Sequence, residues 1–130
     1  MTWEKVKLGE VVRFNYGKAL ISKDRDATGQ FDVFGSSGVV GRHNTALIQE
    51  RSVIVGRKGS AGLVTDAPRG GWPIDTAYYL TSTENYLFDW RYLFYALRRL
   101  ELPKLATATA MPGLNREDAY QQGSSRIPGS

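Results

Sequence analysis

The chain has no cysteine, so disulfides and thiolate metal sites are excluded. It has one histidine, His43, which rules out a two-histidine metal centre. Nothing in the pattern supports a Ser–His–Asp arrangement around it. No apolar run is long enough to span a bilayer, and Met1 opens no signal-peptide pattern. A cytoplasmic location with no membrane partner is the expectation. No acidic residue is followed two positions later by lysine, so the acid-x-lysine half of a common nuclease signature is missing. There is no GxxxxGK[ST] phosphate loop. The glycine-rich cofactor loop and the Asn/Asp-Pro-Pro-aromatic tetrapeptide of adenine methyltransferases are missing too. The expectation is a chain without catalysis and without a cofactor of its own.

Glycine and basic residues are what the sequence has instead. Its 130 residues carry 17 Lys+Arg against 13 Asp+Glu, a net charge of +4, compatible with a polyanionic partner without identifying one. Between Arg42 and Arg69 the bases Arg42, Arg51, Arg57, Lys58 and Arg69 face only Glu50 and Asp66. The excess falls where glycines are dense. With 42% hydrophobic residues and this length, one globular domain is expected.

Apolar patterning gives the elements. Trp3, Val6, Leu8, Val11 and Val12 mark an irregular, core-contributing opening segment. Residues 17–30 are polar and turn-rich and read as an exposed loop. Strands are expected near 31–34, 52–55, 63–65 and 76–81, the middle two forming a hairpin around Gly56–Gly62. Trp90, Leu93, Phe94, Leu97 and Leu100 form a helical stripe over 89–101, which Pro103 stops. Leu93, Phe94 and Leu97 should be buried together. Met111-Pro112-Gly113 reads as a turn and Asn115 as a helix cap. The fold class is α+β: a largely β N-terminal part with glycine-rich loops, then an α+β part with one amphipathic helix. The domain is placed at 1–120. Residues 121–130, poor in apolar side chains, are expected to be a disordered or vector-derived tail.

The informative constellation is a set of glycine-framed polar loops: Gly35-Ser36-Ser37-Gly38, Gly41-Arg42-His43-Asn44 and Gly56-Arg57-Lys58-Gly59-Ser60. Glycines let the backbone approach a ligand and leave amides free for phosphate oxygens. Arginine matches two guanine acceptors or a phosphate, and asparagine pairs with adenine. The same residues also fit plain tight turns with solvated charges. The Gly56–Gly59 run differs from the KH-domain loop, which joins two helices, because it follows a strand.

The ordered string resembles the target-recognition domain of type I restriction–modification specificity subunits. It opens with Trp3…Val6-Lys7-Leu8-Gly9-Glu10 and Gly17-Lys18. Phe34-Gly35-Ser36-Ser37-Gly38…Gly41…Asn44 and Ile54-Val55-Gly56-Arg57-Lys58-Gly59-Ser60-Ala61-Gly62 follow. Trp72-Pro73-Ile74-Asp75-Thr76-Ala77 and Pro112-Gly113-Leu114-Asn115-Arg116 complete it. The resemblance implies a module that reads one half of a split site in double-stranded DNA. It implies two such modules per subunit, separated by long helices that dock an adenine methyltransferase subunit. A restriction-translocase subunit completes the system, and S-adenosylmethionine belongs to the methyltransferase. After Asp118 the family continues into a Leu-Pro-Pro strand and a spacer helix, from which this sequence departs.

By the same resemblance Gly35, Gly38, Gly56 and Gly59 shape loops. Base reading is assigned to Lys23, Arg25, Arg42, His43, Asn44 and Arg69, and phosphate contact to Arg57, Lys58 and Ser60. The alternatives are a recognition module of a fused restriction–methylation enzyme, or a protein-interaction domain that binds no DNA.

Overall fold

The structure, a computed structural model, describes residues 2–84, 87–108 and 113–129, leaving aside the side chains of 2–5 and 124–129. The expected core role of Trp3 and the Met111-Pro112 part of the expected turn lie outside that description.

The opening segment is more regular than its mixed composition suggested. Strand β1 (Thr2–Lys7) runs into a single helical turn α1 (Leu8–Val11) and then strand β2 (Val12–Tyr16). Val6, Leu8, Val11 and Val12 are buried, as their apolar character required. The 17–30 loop contains one turn of 3-10 helix, Ser22–Asp24, and is otherwise irregular.

Phe31–Gly35 forms β3 and turns back at once into β4 (Gly38–His43). β4 was not expected, because its Gly-Val-Val-Gly-Arg-His sequence reads as loop. Pairing with β3 decides otherwise, placing Arg42 and His43 on a strand. Then come β5 (Ser52–Gly56), β6 (Val64–Ala67), the short β7 (Trp72–Pro73) and β8 (Ala77–Ser82). The expected β5–β6 hairpin is present, antiparallel from Ser52↔Ala67 to Val55↔Val64.

Among the described residues three sheets result, ordered β2-β8-β5-β6, β4-β3-β7, and β1 paired with a last strand β9 (Gly123–Gly129). All five residues of β5 are buried, which explains its unbroken apolar run. Alternation along the strand divides them. Val53 and Val55 enter the larger core with Phe14, Leu80, Leu93 and Leu97, while Ile54 joins Phe34, Ala67 and Ala77 in a second, smaller one. The one buried polar residue of this strand, Ser52, satisfies itself across the sheet: its hydroxyl donates to Leu80 O at 2.7 Å and accepts from Leu80 N at 3.1 Å.

Helix α2 (Trp90–Arg99) begins where Asp89 accepts from the Arg91 and Tyr92 amides. It buries Leu93, Ala96 and Leu97 against β5 and β6. Phe94 departs from expectation. It is only partly buried at the core edge, with the Arg98 guanidinium 5.6 Å from its ring centre. Pro103 does not simply end this helix. It sits in the first turn of another, α3 (Leu102–Thr107), where its missing N–H costs nothing. Asn115 caps α4 (Arg116–Tyr120) by accepting from Glu117 N at 2.8 Å.

Among the described residues the C-terminal part holds three helices, of which α2 is the expected amphipathic one and α4 the one expected to be capped by Asn115. Residues 121–130 were expected to be loose. Gly123–Gly129 instead pairs antiparallel with β1, from Lys7↔Gly123 to Thr2↔Gly129. Low apolar content misleads here because ladder pairing uses backbone groups, whatever the side chains.

Candidate nucleic-acid interface

The structure packs the 17–30 loop, which carries Lys23 and Arg25, against β4, which carries Arg42 and His43. The 17–30 loop folds over β4 so closely that Gly29 leaves no room for a side chain against the His43 backbone. Arg25 is held there by its Nε donating to Leu20 O at 3.0 Å. His43 Nδ1 accepts from Asp26 N at 3.3 Å, and its ring meets Trp72 edge-on at 5.6 Å. The Asp26 carboxyl is held below its ordinary range because the Thr28 hydroxyl and amide both donate to it.

Arg42 is engaged within the hairpin. Its Nε donates to Gly29 O at 2.7 Å and its Nη1 to Asp32 Oδ1 at 2.9 Å. Its Nη2 group and one Nη1 N–H make no hydrogen bond among the described residues. Lys23 is exposed on the 3-10 turn and Asn44 is exposed just past β4. Arg69 is exposed on the turn between β6 and β7, which Gly71 pins to Ile48 by backbone hydrogen bonds.

The expected phosphate residues gather at a second place. The Gly35–Gly38 turn and the Gly56–Ser60 loop touch, Ser60 N donating to Ser36 Oγ at 3.3 Å. Gly56 is boxed in by the backbone oxygens of Ser60 and Ser36, and Gly59 takes a left-handed φ of 76°. Arg57 and Lys58 both donate their amides to Thr76 O. Beyond this loop opens a cleft of about 480 Å³ walled by Tyr16, Arg57, Lys58, Asn115, Arg116 and Glu117.

Tyr16 and Arg116 were not among the expected site residues. Arg116 stood in the Gly113-Leu114-Asn115-Arg116 motif, but local spacing showed only a helix cap there. Tyr78 lies beneath, its hydroxyl donating to Leu114 O at 2.7 Å. Burial pushes this phenol above its ordinary value of 10.0; the neighbouring Tyr16 adds to the rise, and Arg57 and Arg116 oppose it.

Among the described residues, no group of three His, Asp or Glu side chains is placed to hold a metal. No helix among them is long and apolar enough to cross a membrane. The frame is α+β, and it carries basic residues on exposed loops. Solved structures share it.

The S subunit of a type I restriction-modification system from M. genitalium superposes with a TM-score of 0.79 at 18% identity. That match covers 98% of this chain and 34% of the other. A structure addressing complex assembly and conformational transition of the type I R-M system gives 0.72 at 18%, over 98% and 34%. The HsdS subunit from Thermoanaerobacter tengcongensis gives 0.68 at 19%, over 98% and 33%. This chain thus spans about a third of the length of each. No curated protein sequence matches it.

The type I restriction modification DNA specificity domain family matches residues 1–118, and the chain belongs to that family. It is a non-catalytic specificity module.

Proposed function

We propose that this domain binds double-stranded DNA and reads one half of a bipartite site for a type I restriction–modification system. The family assignment over residues 1–118 carries the reading. The charge distribution supports it. Among the described residues the ion pairs are Arg42–Asp32, Arg51–Asp66 and Lys104–Glu101. Lys23, Arg25, Arg57, Lys58 and Arg69 take part in none of them and remain able to meet an anion.

Within this reading Lys23, Asn44 and Arg69 contact bases, being exposed and chemically suited to base edges. Arg25, Arg42 and His43 are each held by a hydrogen bond within the loop and hairpin. Arg42 reads a base through the N–H groups left over from its bonds to Gly29 and Asp32. Arg57, Lys58 and Ser60 contact phosphates, on loops shaped by Gly35, Gly38, Gly56 and Gly59. An adenine methyltransferase subunit and a restriction-translocase subunit of the same cytoplasmic system are the partners. The S-adenosylmethionine and the cleavage chemistry belong to those subunits.

A single recognition module buries about 600–1,000 Å² on DNA, so binding by this chain alone should be weak. Mapping methylated bases in a host that carries the intact gene supplies the cognate sequence. Variants are then titrated against cognate and scrambled duplexes at two salt concentrations. Charge reversal at Arg57 and Lys58 should weaken binding to both alike and flatten the salt dependence. Asn44→Ala should relax preference at one base position, by about 1–3 kcal/mol for a bidentate contact. Loss of discrimination in the Arg57/Lys58 variant, with discrimination kept in the Asn44 variant, would reverse these roles. Duplex binding that is absent, or indifferent to salt, would leave the protein-interaction reading in its place.

A further inference from the structure

Two guanidinium groups converge on one tyrosine ring, and among the described residues neither is in an ion pair. Tyr16, at the end of β2, is 52% exposed. The Arg57 guanidinium carbon lies 4.9 Å from its ring centre and that of Arg116 4.4 Å. The two groups are thus within 10 Å of each other and repel.

Each is anchored by one neutral acceptor. Arg57 Nη1 donates to Asp75 O at 2.8 Å and Arg116 Nη1 donates to Phe14 O at 2.9 Å. A carbonyl fixes an arginine without cancelling its charge. Among the described residues, no carboxylate lies within ion-pair distance of Arg57, Arg116 or Lys58. Glu117, although it walls the cleft, pairs with none of them.

The arrangement is held open from three parts of the chain. Leu114 N donates to the Arg57 carbonyl at 2.8 Å, locking the loop after β5 to the segment before α4. Phe14, two residues before Tyr16, receives Arg116 from the other side. Contact with a common ring and one hydrogen bond each restrain both guanidinium groups, so less side-chain freedom remains to be lost on binding. Each guanidinium has five N–H donors, and most remain available for a ligand.

We propose that the Tyr16–Arg57–Arg116 cleft is an anion site that takes one phosphodiester group of the DNA backbone. The two arginines supply planar forks, Tyr16 fixes their orientation, and the exposed Lys58 adds charge at the rim. This assignment rests on the DNA-binding reading above. It adds Tyr16 and Arg116, from opposite ends of the chain, as parts of a site that contributes affinity and register without choosing a base.

The test uses the full chain and two probes. Inorganic phosphate alone, added at constant ionic strength, should move the Nε–Hε NMR signals of Arg57 and Arg116. A scrambled duplex competing at the same site should suppress that movement. In duplex titrations across salt, Arg116→Gln should lower the slope of log K against log salt by about 0.9, one phosphate contact. Arg116→Lys should keep most of the slope. Tyr16→Leu, which keeps both charges and both carbonyl anchors, should still weaken duplex binding.

Thermal melts identify any variant that fails to fold, in which case Tyr16→Leu and Arg116→Lys decide. A folded Arg116→Gln with the wild-type slope, or Tyr16→Leu with wild-type affinity, overturns the site and leaves the DNA reading standing. Phosphate binding that duplex does not compete overturns the backbone assignment. Wild-type protein that binds no duplex overturns the DNA reading and this assignment with it.

Discussion

The Tyr120 hydroxyl accepts from the backbone N–H of Phe14 at 2.8 Å, and the two rings meet edge-on at 5.6 Å. Phe14 lies on β2, an edge strand of its sheet, and β8 serves only one of its sides. On the open side Tyr120 takes the N–H and Arg116 donates to the C=O. The last helix thus closes a sheet edge and sets Arg116 into the cleft with the same contact.

Tyr120→Phe keeps the ring contact and removes the acceptor, leaving a part-buried N–H unpaired. The expected cost is about 1–3 kcal/mol. Urea unfolding of the two proteins measures it. Unchanged stability would mean that water serves this edge as well as the phenol does.

The partial exposure of Phe94 changes the ranking of core substitutions on α2. Leu97 is 1% exposed, so Leu97→Ala should cost about 2–5 kcal/mol. Phe94→Ala should cost less despite removing more atoms, because part of that ring already faces solvent. Comparing the two melting temperatures tests the order.

Gly56 and Gly41 should respond differently to alanine. A Cβ on Gly56 would lie 2.2 Å from Ser60 O and 2.9 Å from Ser36 O, both backbone atoms. A Cβ on Gly41 would lie 3.3 Å from Arg25 Cδ, part of a flexible side chain. Gly56→Ala should therefore destabilise by about 1–3 kcal/mol, as overpacking does. Gly41→Ala should be milder. Denaturant midpoints for both variants check this, and equal losses would refute it.

Tyr78 predicts an alkaline weakness. Its folded pKa is raised, chiefly by burial, so folding favours the protonated phenol. The associated stability is fully present below the ordinary tyrosine value and is lost as pH rises through the folded value. Ionisation would also remove the proton donated to Leu114 O. Urea midpoints should fall between neutral pH and strongly alkaline pH, and fall less in Tyr78→Phe. The same fall in both proteins would assign the effect to other groups.

Local pattern was enough for the elements whose reason is local. Val53, Ile54 and Val55 of β5 read as an unbroken apolar run, and α2 read as a stripe. Asn115 read as a cap because its side chain bonds two residues on. The family string was legible for a similar reason, since its glycines mark backbone that must turn or pack closely.

What sequence did not contain was decided by distant partners. β4 is a strand because β3 lies beside it, and Gly123–Gly129 is a strand because β1 does. Arg42 stood out as a base-reading candidate, but its bonds to Gly29 and Asp32 form only when the hairpin closes. Tyr16, Arg57 and Arg116 lie on three separate segments, and no periodicity connects them. Only the sheet, the Leu114–Arg57 hydrogen bond and the docking of α4 bring them onto one ring. Charge and propensity are properties of a residue and its neighbours, whereas the convergence of charges is a property of the closed chain.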